Sequence, residues 1–149
     1  MLTDRDKKVL SFIEKYGALT IQQASTLFFN NLNVSCTRRL LQLERQGLLK
    51  SYTRTITKEK AYYICKKKSH HDLYVMDFIK NMKKLGFNVR KLELTPKYLQ
   101  GKIIPDAYIQ LRKGKDVYLV LLEIDYSHYT SNSKMKVYEE LYKSQEASV

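Results

Sequence analysis

Tryptophan is absent from the 149 residues, and cysteine occurs only twice, at Cys36 and Cys65. Two cysteines without partner spacing build neither a zinc site nor a disulfide framework, which fits a reduced, cytoplasmic protein. No apolar run approaches the roughly 20 residues that span a bilayer. The first ten residues, MLTDRDKKVL, carry acids where a secretion signal needs an apolar core. There is also no strongly amphipathic basic helix edged with Trp or Phe, so a membrane is the weakest partner. Acid is scarce as well: 15 Asp+Glu stand against 27 Lys+Arg, a formal charge of +12. Such an excess favours a polyanionic partner, nucleic acid first.

The excess is uneven. Residues 1–68 hold 14 Lys+Arg and 5 Asp+Glu, and residues 69–149 hold 13 and 10. Length and charge together suggest two small domains, 1–68 and 69–149, with Lys66-Lys67-Lys68-Ser69-His70-His71 as the join. Adjacent histidines point to different sides of any regular element, so His70 and His71 form a poor chelate.

The first half reads as three short helices. Thr3 caps the first, with Val9, Leu10, Phe12, Ile13 and Tyr16 at helical spacing and Gly17 as its stop. Thr20 caps the second, which carries Ile21, Ala24, Leu27 and Phe28. Residues 30–33, NNLN, turn the chain into a third, starting near Asn33 or Ser35, with Leu40, Leu43 and Cys36 inward, Gly47 as its stop and Leu48 packing just after. Two alternating segments follow, Lys50-Tyr52-Arg54-Ile56 and Ala61-Tyr62-Tyr63-Ile64, joined by TKEK. Helix, glycine stop and hairpin in this order predict the second half of a winged helix-turn-helix, which lays its third helix in the major groove. The expected DNA contacts are Ser35, Thr37, Arg38, Arg39, Gln42 and Arg45 on that helix, with Arg54, Lys58 and Lys60 from the wing. Small hydroxyls at a helix start let phosphate approach, and Arg and Gln pair bidentately with guanine and adenine. A solvated basic face, or a winged helix used for protein binding, is the alternative.

The second half predicts a helix from His71 through Leu85, with Leu73, Met76, Phe78, Ile79, Met82 and Leu85 as its apolar set and Gly86 as its stop. Strands follow over Phe87–Leu94, Ile103–Leu111 and Val117–Asp125, the last nearly all apolar and therefore expected to be central. A tight turn at residues 112–115 joins the last two. A final helix over 131–144 carries Met135, Val137 or Tyr138, Leu141 and Tyr142 inward. Asp106, Glu123 and Asp125 are carboxylates that a hairpin can bring together, a set that suits Mg²⁺ and metal-assisted phosphodiester cleavage. Turn capping by Asp106 and ion pairs of Glu123 and Asp125 with Lys102, Arg112 or Lys134 are the structural alternative.

Pro105-Asp106 followed by Glu123-Ile-Asp125 resembles the PD-(D/E)xK nuclease core, except that Asp125 stands where that family has its lysine. Lys134 on the next helix is the nearest substitute. Taken whole, the chain resembles the replication-relaxation family of plasmid and mobile-element proteins in its N-terminal winged helix, its IPDAYI and LLEID strands and its Lys134-x-x-x-Tyr138 helix.

The fold expected is therefore α+β: an N-terminal winged helix-turn-helix, then a small α/β domain like a minimal, degenerate PD-(D/E)xK core. The resemblance implies a double-stranded DNA-binding protein of a plasmid, phage or conjugative element, acting in replication, DNA relaxation or transfer. Its second domain would be a scaffold, a homodimer surface or a dock for a replication or transfer protein. It implies no assigned catalytic activity and no cofactor. A Mg²⁺-dependent nuclease or nickase using Asp106, Glu123, Asp125 and Lys134, and a dimeric transcriptional repressor, are the alternatives.

Overall fold

A computed structural model covers the chain, and residues 1–55, 57–68, 70–125 and 130–147 are described. Ile56 of the expected wing and Ser69 of the expected join lie outside them. The described residues form an α+β protein with five α-helices and two three-stranded antiparallel sheets. None of these helices is long and apolar enough to cross a membrane. The chain divides into two compact units, Met1–Lys84 and Leu85–Val149.

Helix α1 (Asp4–Tyr16) opens with a reciprocal cap. The Asp6 N–H donates to Thr3 Oγ1 (3.1 Å) and the Thr3 N–H donates to Asp6 Oδ2 (2.8 Å). It stops at Gly17, whose φ of +109° favours a residue without a side chain. A short strand the sequence reading missed, β1 (Ala18–Thr20), follows. Helix α2 (Ile21–Phe28) repeats the reciprocal cap with Thr20 and Gln23. Asn30 and Asn31, both at positive φ, reverse the chain into α3 (Asn33–Arg45), as asparagine tolerates left-handed backbone best after glycine.

Strands β2 (Lys50–Thr53) and β3 (Lys60–Tyr63) then pair, Lys50 opposite Tyr63 and Thr53 opposite Lys60. β1 pairs on the far side of β3, so the sheet order is β1-β3-β2. Val9, Ile13, Leu19, Ala24, Phe29, Cys36, Leu40, Leu43 and Leu49 are buried. Each buried Leu or Ile contributes about 1.5–3 kcal/mol. Leu49 fills the position expected of Leu48, which stays partly exposed: the stop at Gly47 (φ +79°) shifts the inward register by one.

Helix α4 (His70–Lys84) belongs to this first unit, which moves the boundary from the expected 68/69 to 84/85. The cause is packing. Leu73 buries against Ala18 and Ala61 beside Tyr52 and Tyr63, and the Gln23 Nε2 donates to Leu73 O and Asp77 Oδ1, both at 2.9 Å. Leu85, expected inside, is exposed because the unit ends there.

In the second unit, β4 (Asn88–Leu94), β5 (Ala107–Lys113) and β6 (Asp116–Leu122) form an antiparallel sheet in sequence order. The central strand is therefore β5, buried without interruption from Ala107 to Leu111, and the expected centre β6 is an edge that leaves Tyr118 and Leu119 exposed. Residues 103–106 lie outside β5. Ile103 instead closes a bridge with Tyr98, and both pack on Leu141 of α5 (Asn132–Ser144). Of the inward set expected for α5 only Leu141 is fully buried. Met135 and Tyr142 are exposed, Tyr142 at 86%.

Candidate functional site

Helix α3 leaves one stripe facing out. Ser35, Arg38, Gln42 and Arg45 recur at helical spacing along it, with Thr37 and Val34 beside them. Thr37, Arg38, Gln42 and Arg45 are exposed and Ser35 is half-buried. Neither Arg38 nor Arg45 has an ion-pair partner among the described residues.

The two flanks of this stripe are locked. On one, Arg39 turns away from solvent toward α1: its Nη2 lies 2.5 Å from Asp6 Oδ2 and its Nε donates to Asp6 Oδ1 at 2.9 Å. Its Nη1 donates to Gln42 Oε1 at 2.8 Å. The Arg39 guanidinium holds the Asp6 carboxyl down at about 2, against the desolvation of a side chain only 1% exposed. On the other flank, Glu44 accepts from Ser51 of β2 and from Lys60 Nζ of β3 at 2.9 Å. These bonds lower the Glu44 carboxyl and raise the Lys60 amine. Arg39 and Lys60, both expected to touch DNA, are thus held by the protein's own carboxylates.

Arg54 departs further from expectation. It is 2% exposed, pairs with Asp77 of α4 at 2.8 Å and lies 4.7 Å from the centroid of the Tyr74 ring. It sits one residue past β2, where the alternation reading assigned it to the wing surface, and α4 covers it. Lys58 is exposed at the hairpin bend with φ +59°. Of the nine expected contacts, then, Thr37, Arg38, Arg45 and Lys58 stand open, Gln42 is exposed with its Oε1 already accepting from Arg39, Ser35 is half-buried, and Arg39, Arg54 and Lys60 are engaged internally.

In the second unit the three carboxylates serve three separate ends. Asp106 Oδ2 accepts from the Ile124 N–H at 2.6 Å, while its backbone N–H donates to Leu122 O and its carbonyl accepts from Thr95 N–H. It thereby ties the ends of β4, β5 and β6. Glu123 accepts from the Tyr138 hydroxyl and from Lys134 Nζ at 2.6 Å, both on α5. Asp125 accepts from the Thr130 hydroxyl at 2.7 Å. β6 ends at Leu122, so residues 123–125 do not alternate as strand residues would. Among the described residues no group of three or more His, Cys, Asp or Glu is placed to hold a metal ion. Burial first, then the Glu123 hydrogen bond, push the Tyr138 hydroxyl far up.

Glu44 and Asp77 went unread in the sequence, and Asp6 reads there only as a first-turn acid, beside Asp4, that favours the positive helix end. Thr3-x-x-Asp6 signals a cap, but nothing local signals a partner 33 residues away. No family model, curated protein or solved structure matches the chain.

Proposed function

We propose that this protein binds double-stranded DNA, with Met1–Lys84 acting as a winged helix-turn-helix and α3 as its reading helix. The order α1-β1-α2-α3-β2-β3 with sheet order β1-β3-β2 supports the winged-helix reading. The observation that carries the function is the α3 stripe. Its flanks are fixed by Arg39–Asp6 and Glu44–Lys60, and it presents Arg38 and Arg45 with no carboxylate of their own among the described residues. The unit around it holds 17 Lys+Arg against 7 Asp+Glu. A rigid, outward, basic helix suits the groove of a polyanion, where phosphate contacts give affinity and Arg and Gln read base edges.

The resemblance to the replication-relaxation family extends the proposal to a mobile-element protein acting in replication, relaxation or transfer, with the second unit as scaffold or dock. The nuclease alternative has less support, because Asp106, Glu123 and Asp125 are committed to different backbone and side-chain partners.

The test is fluorescence anisotropy on random and selected duplexes across a salt series. Affinity is expected to fall steeply with salt, by about 0.9 in log–log slope per neutralised phosphate. Salt-independent binding, or none, would rule the proposal out. A selected site that maps to a replication or transfer origin supports the mobile-element role, and a palindrome in the gene's own promoter supports a repressor.

A further inference from the structure

We infer that a groove beside α1, lined by no residue of the α3 stripe, is a second nucleic-acid site that takes an unpaired nucleotide. The groove measures about 460 Å³, within the roughly 300–1,000 Å³ typical of ligand sites. Its wall is a cluster of three aromatic rings. Phe12 lies 4.7 Å from Tyr16 and 5.5 Å from Phe28, centroid to centroid, at interplanar angles of 57° and 74°. All three rings are only half-buried, whereas Phe29 and Tyr62 of the same unit are 1% exposed. Lys7, Lys8 and Lys15 edge the groove, all exposed and none ion-paired among the described residues. Lys15 Nζ stands 5.2 Å from the Tyr16 ring centroid.

Rings and ammonium groups together choose the ligand. An acidic peptide would neutralise the lysines and leave the open parts of three rings uncovered. A base covers a ring with its own π-face while its phosphates meet the lysines, the combination by which single strands are held without sequence preference. A duplex offers no such face, because its bases are stacked on one another. Lys8 and Lys15 are seven residues apart on one helix, about 10 Å along its axis, and so address separate phosphates. Asp4 and Glu14 are the only exposed acids on α1, and neither lines the groove.

The test is anisotropy of a labelled oligothymidylate of about 12 nucleotides. Three forms are compared: wild type, the double variant Phe12→Leu/Tyr16→Leu, and the double variant Lys8→Glu/Lys15→Glu. Leucine keeps apolar bulk and removes the stacking face. The ring variant is expected to bind the oligonucleotide about tenfold more weakly, with duplex affinity unchanged. The lysine variant should bind more weakly with a salt slope shallower by about one. Arg38→Ala serves as the converse control. It should weaken duplex binding and spare the single strand, so failure of the α3 reading is scored separately.

A wild-type protein that ignores the oligonucleotide overturns the inference. So does a ring variant that binds it normally, and so does competition by polyglutamate that depends on the lysines and not on the rings. Should the ring variant misfold by circular dichroism, a 4-thiothymidine oligonucleotide is photocrosslinked to wild type. Adducts on Phe12, Tyr16 or Phe28 uphold the site, and adducts confined to other peptides overturn it.

Discussion

Arg39 of α3 grips Asp6 of α1 with both arms of its guanidinium, Nη2 to Oδ2 at 2.5 Å and Nε to Oδ1 at 2.9 Å. Asp6 at the same time accepts the Thr3 N–H, so one carboxylate caps α1 and orients α3. Bidentate pairing of this kind is stronger and more directional than a single contact.

The pair makes stability pH-dependent in a defined window. The Asp6 carboxyl titrates near 2 when folded and near 3.9 when unfolded, so its folded pKa is depressed. Its contribution, about 2 kcal/mol, is complete above pH 4 and disappears as pH falls through 2. Arg39→Ala should remove most of it at neutral pH and lower the melting temperature by on the order of 10 °C. The variant's stability should then fall less between pH 4 and pH 2 than that of wild type. Urea unfolding across pH measures both, and parallel curves for the two proteins would refute the assignment.

Arg38 and Arg45 should behave in the opposite way. Both are exposed without carboxylate partners among the described residues, so Arg38→Ala and Arg45→Ala should leave the melting temperature unchanged. Each should weaken duplex binding, by about 1–3 kcal/mol where a bidentate base contact is lost and by a shallower salt slope where a phosphate contact is lost. A stability loss without an affinity loss would reassign them to the fold.

How much of this was legible follows from what is local. The caps at Thr3 and Thr20, the stops at Gly17 and Gly47 and the inward set Cys36, Leu40 and Leu43 all depend on neighbours within a few residues, and their boundaries agree with the structure. What failed depends on distant partners. β1 has three residues and exists through its pairing with β3, which lies over 40 positions away. Arg39, Arg54 and Lys60 look identical in sequence to arginines and lysines that face solvent, and only Asp6, Asp77 and Glu44 across the fold distinguish them. The run Val117–Leu122 reads as a central strand because apolar runs usually are, yet sheet order is set by which strand the chain can fold between its neighbours, and that strand is β5.

Arg54 and Asp77 offer a sharper contrast. Arg54 is buried against α4, so Asp77→Ala strands a charge and should cost about 3–5 kcal/mol. Arg54→Met together with Asp77→Ala fills the space with apolar bulk and should recover most of that loss. Chemical denaturation of the two variants decides it: a double variant no more stable than Asp77→Ala would mean that the charge is not what the single substitution exposes.

The two thiols should separate by reactivity. Cys36 is buried, its Sγ donates to Ile21 O at 3.6 Å, and burial pushes its pKa up to about 12. Cys65 is exposed. Since only the thiolate reacts, a thiol reagent at neutral pH should modify one cysteine quickly in the folded protein and both in denaturant. Peptide mapping should find the fast adduct at Cys65, and rapid modification of Cys36 in the folded state would show that the α2–α3 packing opens.

Metal dependence is decided at Glu123. Its carboxylate already accepts from Tyr138 and Lys134, and Asp106 is spent on the Ile124 N–H, so a divalent ion would have to displace both sets of bonds. Millimolar Mg²⁺ or Mn²⁺ should therefore leave the melting temperature unchanged, because a ligand stabilises only in proportion to its binding to the folded state. Supercoiled plasmid bound by the protein should stay uncut in either metal. Tyr138→Phe deletes one donor and should cost about 1 kcal/mol without creating a metal requirement. A Mn²⁺-dependent rise in melting temperature that Glu123→Gln abolishes would refute this prediction and favour the nuclease alternative.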